Sequence, residues 1–443
     1  MKVVHGTRSL DVTRRKSLPR NAVKHFVHSA TVIIVLLACS FATLACGPDE
    51  SNARVVFVPS DYSTITEALD NAQPGTTIEI GPGVYHESLD VDVERITIRG
   101  THRNDVVIDG RHQLANGFSV LANDVAIENL TVRNFLQNGI VFNGISAASQ
   151  GTGVEPKVDY GIGDDVLVGY RVSYVTTHNN GLYGIYAFAA RNGLIEYSLA
   201  SGHPDSGIYI GQCRPCEVII THVIAERNAI GYYGTNASGG VIIASSIFRH
   251  NRLGIAPNSQ NMEKLAPQAE AIVVGNVVEN NDDPAAPVIP YGYFGGGIAI
   301  GGGTRNQILR NRITGHDRAG IELLGLDTFM PTGNRIEGNE LANNGVDLAY
   351  VVRGATNGGD NCFSSNTFTS SIPVDIERVL PCDAAARPFD IPAPLTLTAP
   401  PKVNYRDIPP PTDQSSMPVV TTRKPAGAGP SPVIEVSAIG LPT

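Results

Sequence analysis

Tryptophan is absent from this 443-residue sequence, methionine occurs four times, and charged residues make up only 17%. So low a charge fraction beside 42% hydrophobic residues excludes a disordered, solvating chain. No basic stripe and no interleaved aromatic motif occurs, and the formal net charge is -9, so nucleic acid is excluded as a partner. Cysteine is limited to six residues, with no second C-x-x-C beside Cys213 and Cys216 to complete a zinc set of about four ligands. What the sequence has in quantity is glycine, 46 residues of it, together with Val, Ile and Asn-Gly pairs. That composition predicts many short strands joined by tight turns and little helix.

The N-terminus speaks for export. Residues 1–28 carry Arg14, Arg15, Lys16, Arg20 and Lys24 with one acid, Asp11, and the apolar run "TVIIVLLACSFATLAC" follows from Thr31 to Cys46. The run is shorter than the ~20 apolar residues a membrane span needs and has the form of a signal h-region. Its end, "TLAC", resembles a bacterial lipoprotein signal, which implies an export segment over 1–46, acylation of Cys46, and membrane attachment only through that N-terminal lipid. "LLAC" ending at Cys39 is a rival box, and a secretory peptide cleaved near Ala45 or an uncleaved anchor are the other readings.

With Cys39 and Cys46 set aside, Cys213, Cys216, Cys362 and Cys382 remain, and in an exported chain an even number reads as disulfides. Three connectivities are open, and local pairing is the simplest. Cys362 with Cys382 would close a loop worth about 3 kcal/mol at the end of the repeats. For Cys213 and Cys216 in "GQCRPC", a redox motif needs a helix at the first cysteine, whereas "EVIITHV" reads as strand. A disulfide is therefore expected there as well.

Internal repetition organises the rest. Glycines open short apolar pairs in "NGIVF", "YGIYAF", "SGIYI", "IGYYG", "LGIAP", "GGIAI", "AGIEL" and "NGVDL", at Gly139, Gly184, Gly207, Gly231, Gly254, Gly297, Gly320 and Gly345. The steps are 45, 23, 24, 23, 43, 23 and 25, so each long step is two coils or one coil plus an inserted loop. "ISAASQGTGVEPKVDYGIGDD" and "ENNDDPAAPVIPYGYF" have the look of such loops. Asn276, Asn311 and Asn339 recur three residues after Val273, Ile308 and Ile336, as turn asparagines stacked coil on coil would. A period near 23 excludes helical solenoids and leaves the parallel β-helix, whose ends need caps. One cap is legible: "STITEALDNAQPG" predicts a helix over 64–71 with Ser63 as N-cap, Glu67 near the capping-box position, and strands from Thr77 onward.

The opening "STITEALDNAQPGTTIEIGPGVYHESL", followed by "ITIRG" and "VVIDG", resembles the start of the pectin-lyase-like superfamily. The resemblance implies an all-β, right-handed parallel β-helix with a short N-terminal capping helix over residues 55–384. That fold hosts lyases, hydrolases, epimerases, esterases and non-catalytic adhesins, so it does not select a reaction. The tail 385–443, with 13 prolines after Arg387, is expected to be extended or disordered.

Offsets from the repeat glycines suggest a site. Tyr186, Tyr209 and Tyr233 stand two residues after their glycines and, by strand alternation, face outward on consecutive coils. Four before stand Asn180, His203, Arg227, His250 and His316; two before stand Asp205, Arg252 and Arg318. His203, Asp205, Tyr209 and Arg227 are the candidate catalytic residues, with Tyr186, Tyr233 and Arg252 for substrate binding. Rings that stack on sugars, arginines that pair with carboxylates and a His/Asp/Tyr set for proton transfer describe an acidic-polysaccharide groove. The expected function is thus an exported polysaccharide-binding β-helix, acting as a polyuronide lyase or C5-epimerase, against a non-catalytic surface or periplasmic binding or structural protein. Signatures of the superfamily's enzymes do not match: "GHPDSG" differs in order from the Asp-Pro-His-Asp run of the epimerases, and the paired aspartates and Gly-His-Gly of polygalacturonases are missing. No cofactor is expected; "ENNDDP" is acidic enough for Ca2+ but lacks calcium-loop spacing.

Overall fold

A computed structural model of the chain describes residues 54–144, 166–261, 264–288, 293–352, 358–390, 393–419 and 425–443. The segment 1–46 expected to direct export, with Cys39 and Cys46, and the inserted loop 145–165 lie outside the described residues. Among the described residues no helix is long and apolar enough to cross a membrane.

Each coil lays one short strand on each of three parallel sheets, here A, B and C, which hold 12, 10 and 11 strands. This is the all-β right-handed parallel β-helix the repeat implied. Inward positions stack on their own equivalents. On sheet A one buried rail runs from Ile78 and Ile98 through Ile195, Ile220 and Ile243 to Ile308 and Ile336. β-Branched side chains suit strands buried on a parallel sheet, and full burial of each stabilises by about 1.5–3 kcal/mol. A single coil has no neighbour to bury against, so the rail works only as a stack.

The corners carry buried amide ladders. Asn311 Oδ1 accepts from the backbone N and Nδ2 of Asn276 at 3.0 and 2.9 Å, and Asn311 Nδ2 donates to Asn339 Oδ1 at 3.0 Å. The ladder continues to Asn366 and ends on Glu377 in the C-terminal helix Ile376–Val379, whose Oε1 accepts from Asn366 N and Nδ2. A second ladder runs Asn228, Asn251, Asn281, and a third Asn306, Asn334, Asn361.

The repeat glycines are explained by close approach. A Cβ on Gly184, Gly231, Gly254 or Gly297 would stand 2.5–2.6 Å from the carbonyl oxygen of the equivalent residue one coil on. Both long steps are one coil plus an insertion, since Ile140 pairs directly with Ile185 and Leu253 with Gly296. Gly345 is not part of this series. Register places Asp347 opposite Gly320, because Ile321 pairs with Leu348.

The N-terminal cap is the helix Ile65–Asp70, and its N-cap is Thr64, not Ser63: Thr64 Oγ1 accepts from Glu67 N at 3.0 Å, while Glu67 reaches back to Ser63 N and Oγ. Strands also begin earlier than Thr77, because Arg54–Val58 already pairs with Thr76–Ile80. Both local disulfides are present. Cys213–Cys216 is buried at the corner between sheets C and A, and Cys362–Cys382 ties the last strand of sheet A to the segment after the C-terminal helix.

Of the two states expected for the proline-rich tail, extended or disordered, its described residues take the extended one. They are packed along the helix. Asn179 Nδ2 donates to the carbonyls of Tyr405 and Ile408 at 2.7 and 2.9 Å, and Asn104 Nδ2 to that of Gln414 at 2.9 Å. Asn129 Oδ1 accepts from Met417 N at 2.8 Å near the first coils. The tail then returns over sheet A, where Gly427 N donates to Thr97 and Arg310 donates to the carbonyls of Val436 and Ile439. Val436 and Ile439 cover an outward apolar strip of Ile242, Ala244, Ile272, Val274 and Leu309.

Two outcomes follow from this packing. Gly254→Ala should destabilise by about 1–3 kcal/mol through overpacking, whereas Gly440→Ala, with nothing within 4 Å of the added Cβ, should stay within about 0.5 kcal/mol of the parent in urea unfolding. Equal midpoints for the two variants would remove the steric account of the repeat. Ile439→Asp should release the end of the tail, read as faster limited proteolysis within 425–443; an unchanged cleavage pattern would show that the apolar strip does not hold it.

Candidate functional site

The outer face of sheet C gathers the most chemistry among the described residues. Register pairs Tyr186 with Tyr209 and Tyr209 with Tyr233, while Ile185, Ile208 and Tyr232 between them are buried in the core. The three tyrosines are therefore in line and outward. The rings of Tyr186 and Tyr209 stack at 4.8 Å with an interplanar angle of 17°, and Tyr183 packs beside both. Faces stacked on each other are closed to a ligand, and Tyr209 is only 5% exposed. Its ring lies over Gly211, where a Cβ would come within 2.6 Å of the hydroxyl. Tyr233 breaks the stack, turning 66° from Tyr209.

Tyr233 instead faces a cavity of about 270 Å³. Its floor continues the same outward row past Tyr233 to Ala256 and Ala299, with Asn258, Gly301 and Leu324 two residues further along the strands. Small side chains there leave the space. Val288 and Tyr293 from the inserted loop and Leu326 from the next coil's loop close the sides, and Asp205, Arg252 and Gln260 line the rest. Gln260 Nε2 donates to the Tyr233 hydroxyl. Tyr293 donates to the fully buried Glu322, which Arg318 grips through two N–H bonds at 2.7 and 2.9 Å, with its guanidinium 4.5 Å over the Tyr293 ring.

Asp205 is the one carboxyl that lines the cavity among the described residues. Burial pushes its carboxyl up to about 7, against the opposing pull of a hydrogen bond from Tyr183. The same burial raises the Tyr183 hydroxyl, with the Asp205 charge adding to it.

Other expected members of the set are elsewhere. His203 is fully buried at a corner, its backbone N–H donating to Asn228 Oδ1 at 3.0 Å and its ring Nε2 lying 3.3 Å from the Thr177 hydroxyl. It occupies the position of an amide rung, with burial lowering its pKa to about 3, and does not reach the outer face. Arg227 and His250 are displaced by one residue from that series. Asn228 and Asn251 take the rungs, and Arg227 and His250 sit in left-handed corner conformations with φ of 53° and 52°. Arg227 does not line the cavity. Arg252 does, but its guanidinium is already engaged. Nε donates to Ala286 O at 2.8 Å, Nη1 to Pro400 O at 3.1 Å, and Nη2 to Pro284 O and Pro401 O at 3.3 and 2.8 Å. Arg252 thus ties the inserted loop and the tail to sheet C and is not free to hold a substrate carboxylate.

Tyr183, Asn258, Gln260 and Tyr293 were not singled out from the sequence. Asn258 follows Gly254 by four residues, in the same row as Thr235, so the glycine register could have located it. Tyr293 lies in an insertion, which no repeat position describes. For a cation, no group of three or more metal-ligating side chains occurs among the described residues.

Comparison with known proteins agrees with the architecture. Residues 164–334 match the family described as the right handed beta helix region. No curated protein is similar enough in sequence to count as a relative. Among solved structures, the chain is similar to the A-module of mannuronan C-5 epimerase AlgE6 from Azotobacter vinelandii, at 15% identity and a TM-score of 0.46 over 69% of this chain and 91% of that one. It is also similar to pectate lyase Pel9A, at 14% identity and a TM-score of 0.46 over 72% and 78%. Similarity at that level carries no argument about the chemistry of this chain.

The raised carboxyl has a stability consequence. Asp205 titrates near 7 when folded and near ~3.9 when unfolded, so between those values the folded state holds the extra proton and stability is lost as pH rises through the window. Asp205→Asn should remove that slope, gaining on the parent by roughly 1–3 kcal/mol at pH 8 relative to pH 4. Urea midpoints at pH 4, 5.5 and 8 measure it; parallel profiles for the two proteins would mean that Asp205 is not a buried titrating group.

Proposed function

We propose that this is an exported polysaccharide-binding β-helix protein whose sheet C cavity receives a sugar unit of a glycan. The observation that carries the reading is the cavity's composition. Two tyrosines, a row of small aliphatic side chains and the polar groups of Asp205, Asn258 and Gln260, beside the engaged Arg252, enclose a space the size of a small ligand site. Aromatic and aliphatic walls meet the carbon faces of a sugar, and carboxyl and amide groups meet its hydroxyls. The neighbouring Tyr183–Tyr186–Tyr209 stack braces this face, so its part in binding is to hold Tyr233 and Asp205 in place. Two disulfides fit an oxidising compartment, and the export segment 1–46 with acylation at Cys46 belongs to the same proposal.

A second reading is catalytic, and the Asp205–Tyr183 contact favours it. A carboxyl raised to about 7 is a base suited to neutral pH, and the Tyr183 hydroxyl, raised by burial, stays protonated and donates to it. A polyuronide lyase or C5-epimerase on this face would use Asp205 as base, with Tyr183 as the hydroxyl beside it.

One set of measurements tests both. Calorimetric titration with neutral and acidic oligosaccharides should detect binding that Tyr233→Ala weakens at least tenfold and that Leu253→Trp, which fills the cavity, abolishes while the thermal midpoint is kept. Binding unaffected by both substitutions would move the site elsewhere. Unsaturated or epimerised product that disappears in Asp205→Asn would establish the catalytic reading in its place.

A further inference from the structure

We infer that the sugar unit taken by the sheet C cavity is uncharged, not a uronate; this rests on the saccharide-binding reading above. Two charged side chains line the cavity, Asp205 and Arg252, and they differ in what they can offer a ligand. Arg252 is almost fully buried, with four of its five N–H groups aimed at backbone carbonyls of residues 284, 286, 400 and 401. Bidentate pairing of a carboxylate needs two parallel N–H bonds from one guanidinium, and that edge is consumed. Its charge is answered by Asp283 on the inserted loop. The other nearby cation, Arg318, holds Glu322 through both nitrogens, and that pair also takes the Tyr293 hydroxyl. No further cationic side chain lines the cavity among the described residues.

A uronate carboxylate entering here would lose its hydration without a charged donor in exchange, against walls that include Ala229, Leu253, Ala256 and Leu324. It would also approach the Asp205 carboxyl, and two carboxylates in one poorly solvated site repel. An uncharged sugar meets neither cost. Its hydroxyls can donate to Asp205 and exchange bonds with Asn258 and Gln260, while its C–H face lies on the aliphatic floor.

The test isolates charge from backbone geometry by comparing polyuronides with their carboxyl-reduced counterparts. Hexasaccharides of mannuronate, guluronate and galacturonate, each beside the same oligosaccharide with its carboxylates reduced to hydroxymethyl groups, and mannan, xylan and glucan hexasaccharides are titrated into the full chain at pH 8. The expected result is that neutral glycans bind, that each reduced member binds at least tenfold tighter than its uronide, and that Asp205→Asn narrows this ratio several-fold. Uronides binding as tightly as their reduced partners, or tighter, would overturn the inference while leaving the saccharide site standing. Absence of binding by every glycan would overturn both.

Discussion

Along the three sheets of this helix each strand residue lies about one strand spacing, ~4.8 Å, from its own equivalent in the neighbouring coil, and that repetition decides what each position tolerates. Isoleucine rails satisfy it by packing like on like. Glycine satisfies it where sheet C begins, because the carbonyl of the next coil occupies the space a Cβ would need. Asparagine satisfies it at the corners because one amide both donates and accepts, so a buried chain such as Asn276–Asn311–Asn339 propagates without net charge and terminates on Glu377. A histidine fits such a rung only when neutral. Burial holds His203 and His316 in that state, at about 3 and about 4.

The same repetition explains what the sequence revealed and what it hid. A step of 23 to 25 residues, Asn276 with Asn311 and Asn339, and the alignment of Tyr186, Tyr209 and Tyr233 were all legible because each repeats at constant distance along a strand. Corner geometry was not. Asn180 and His203 stand four residues before their glycines, Asn228 and Asn251 only three, so counting back from glycine lands on Arg227 and His250, the left-handed residues that turn the corner. The cavity was hidden for a different reason: it is made where the tyrosine row gives way to alanine and where an insertion supplies Tyr293. Absence of bulk has no periodic signature.

Composition gave the extended tail but not its packing, because it counts only what a segment can do for itself. Thirteen prolines preclude a strand ladder and, having no N–H, also remove donors that would need partners. What such a segment needs is someone else's N–H for its carbonyls. Asn104, Asn179, Arg252 and Arg310 provide it from buried and half-buried positions on the helix, and the apolar strip around Val274 supplies the burial.

That arrangement bears directly on the site. Arg252 stands where a glycan-processing groove would want a free cation, and it is spent on the tail and the inserted loop; Arg318 is spent on Glu322 in the same way. With both cations committed to scaffold, the remaining polarity of the cavity comes from amides, hydroxyls and one carboxyl. Because no arginine is among the groups that shift that carboxyl, burial outweighs the hydrogen bonds from Tyr183 and Ser206 and lifts it toward neutrality. The raised carboxyl of Asp205 is therefore a consequence of how the helix is strapped together: the guanidinium of Arg252, which lines the same cavity, is turned to the carbonyls of Pro400 and Pro401, and the carboxyl is left to burial and neutral hydroxyl donors.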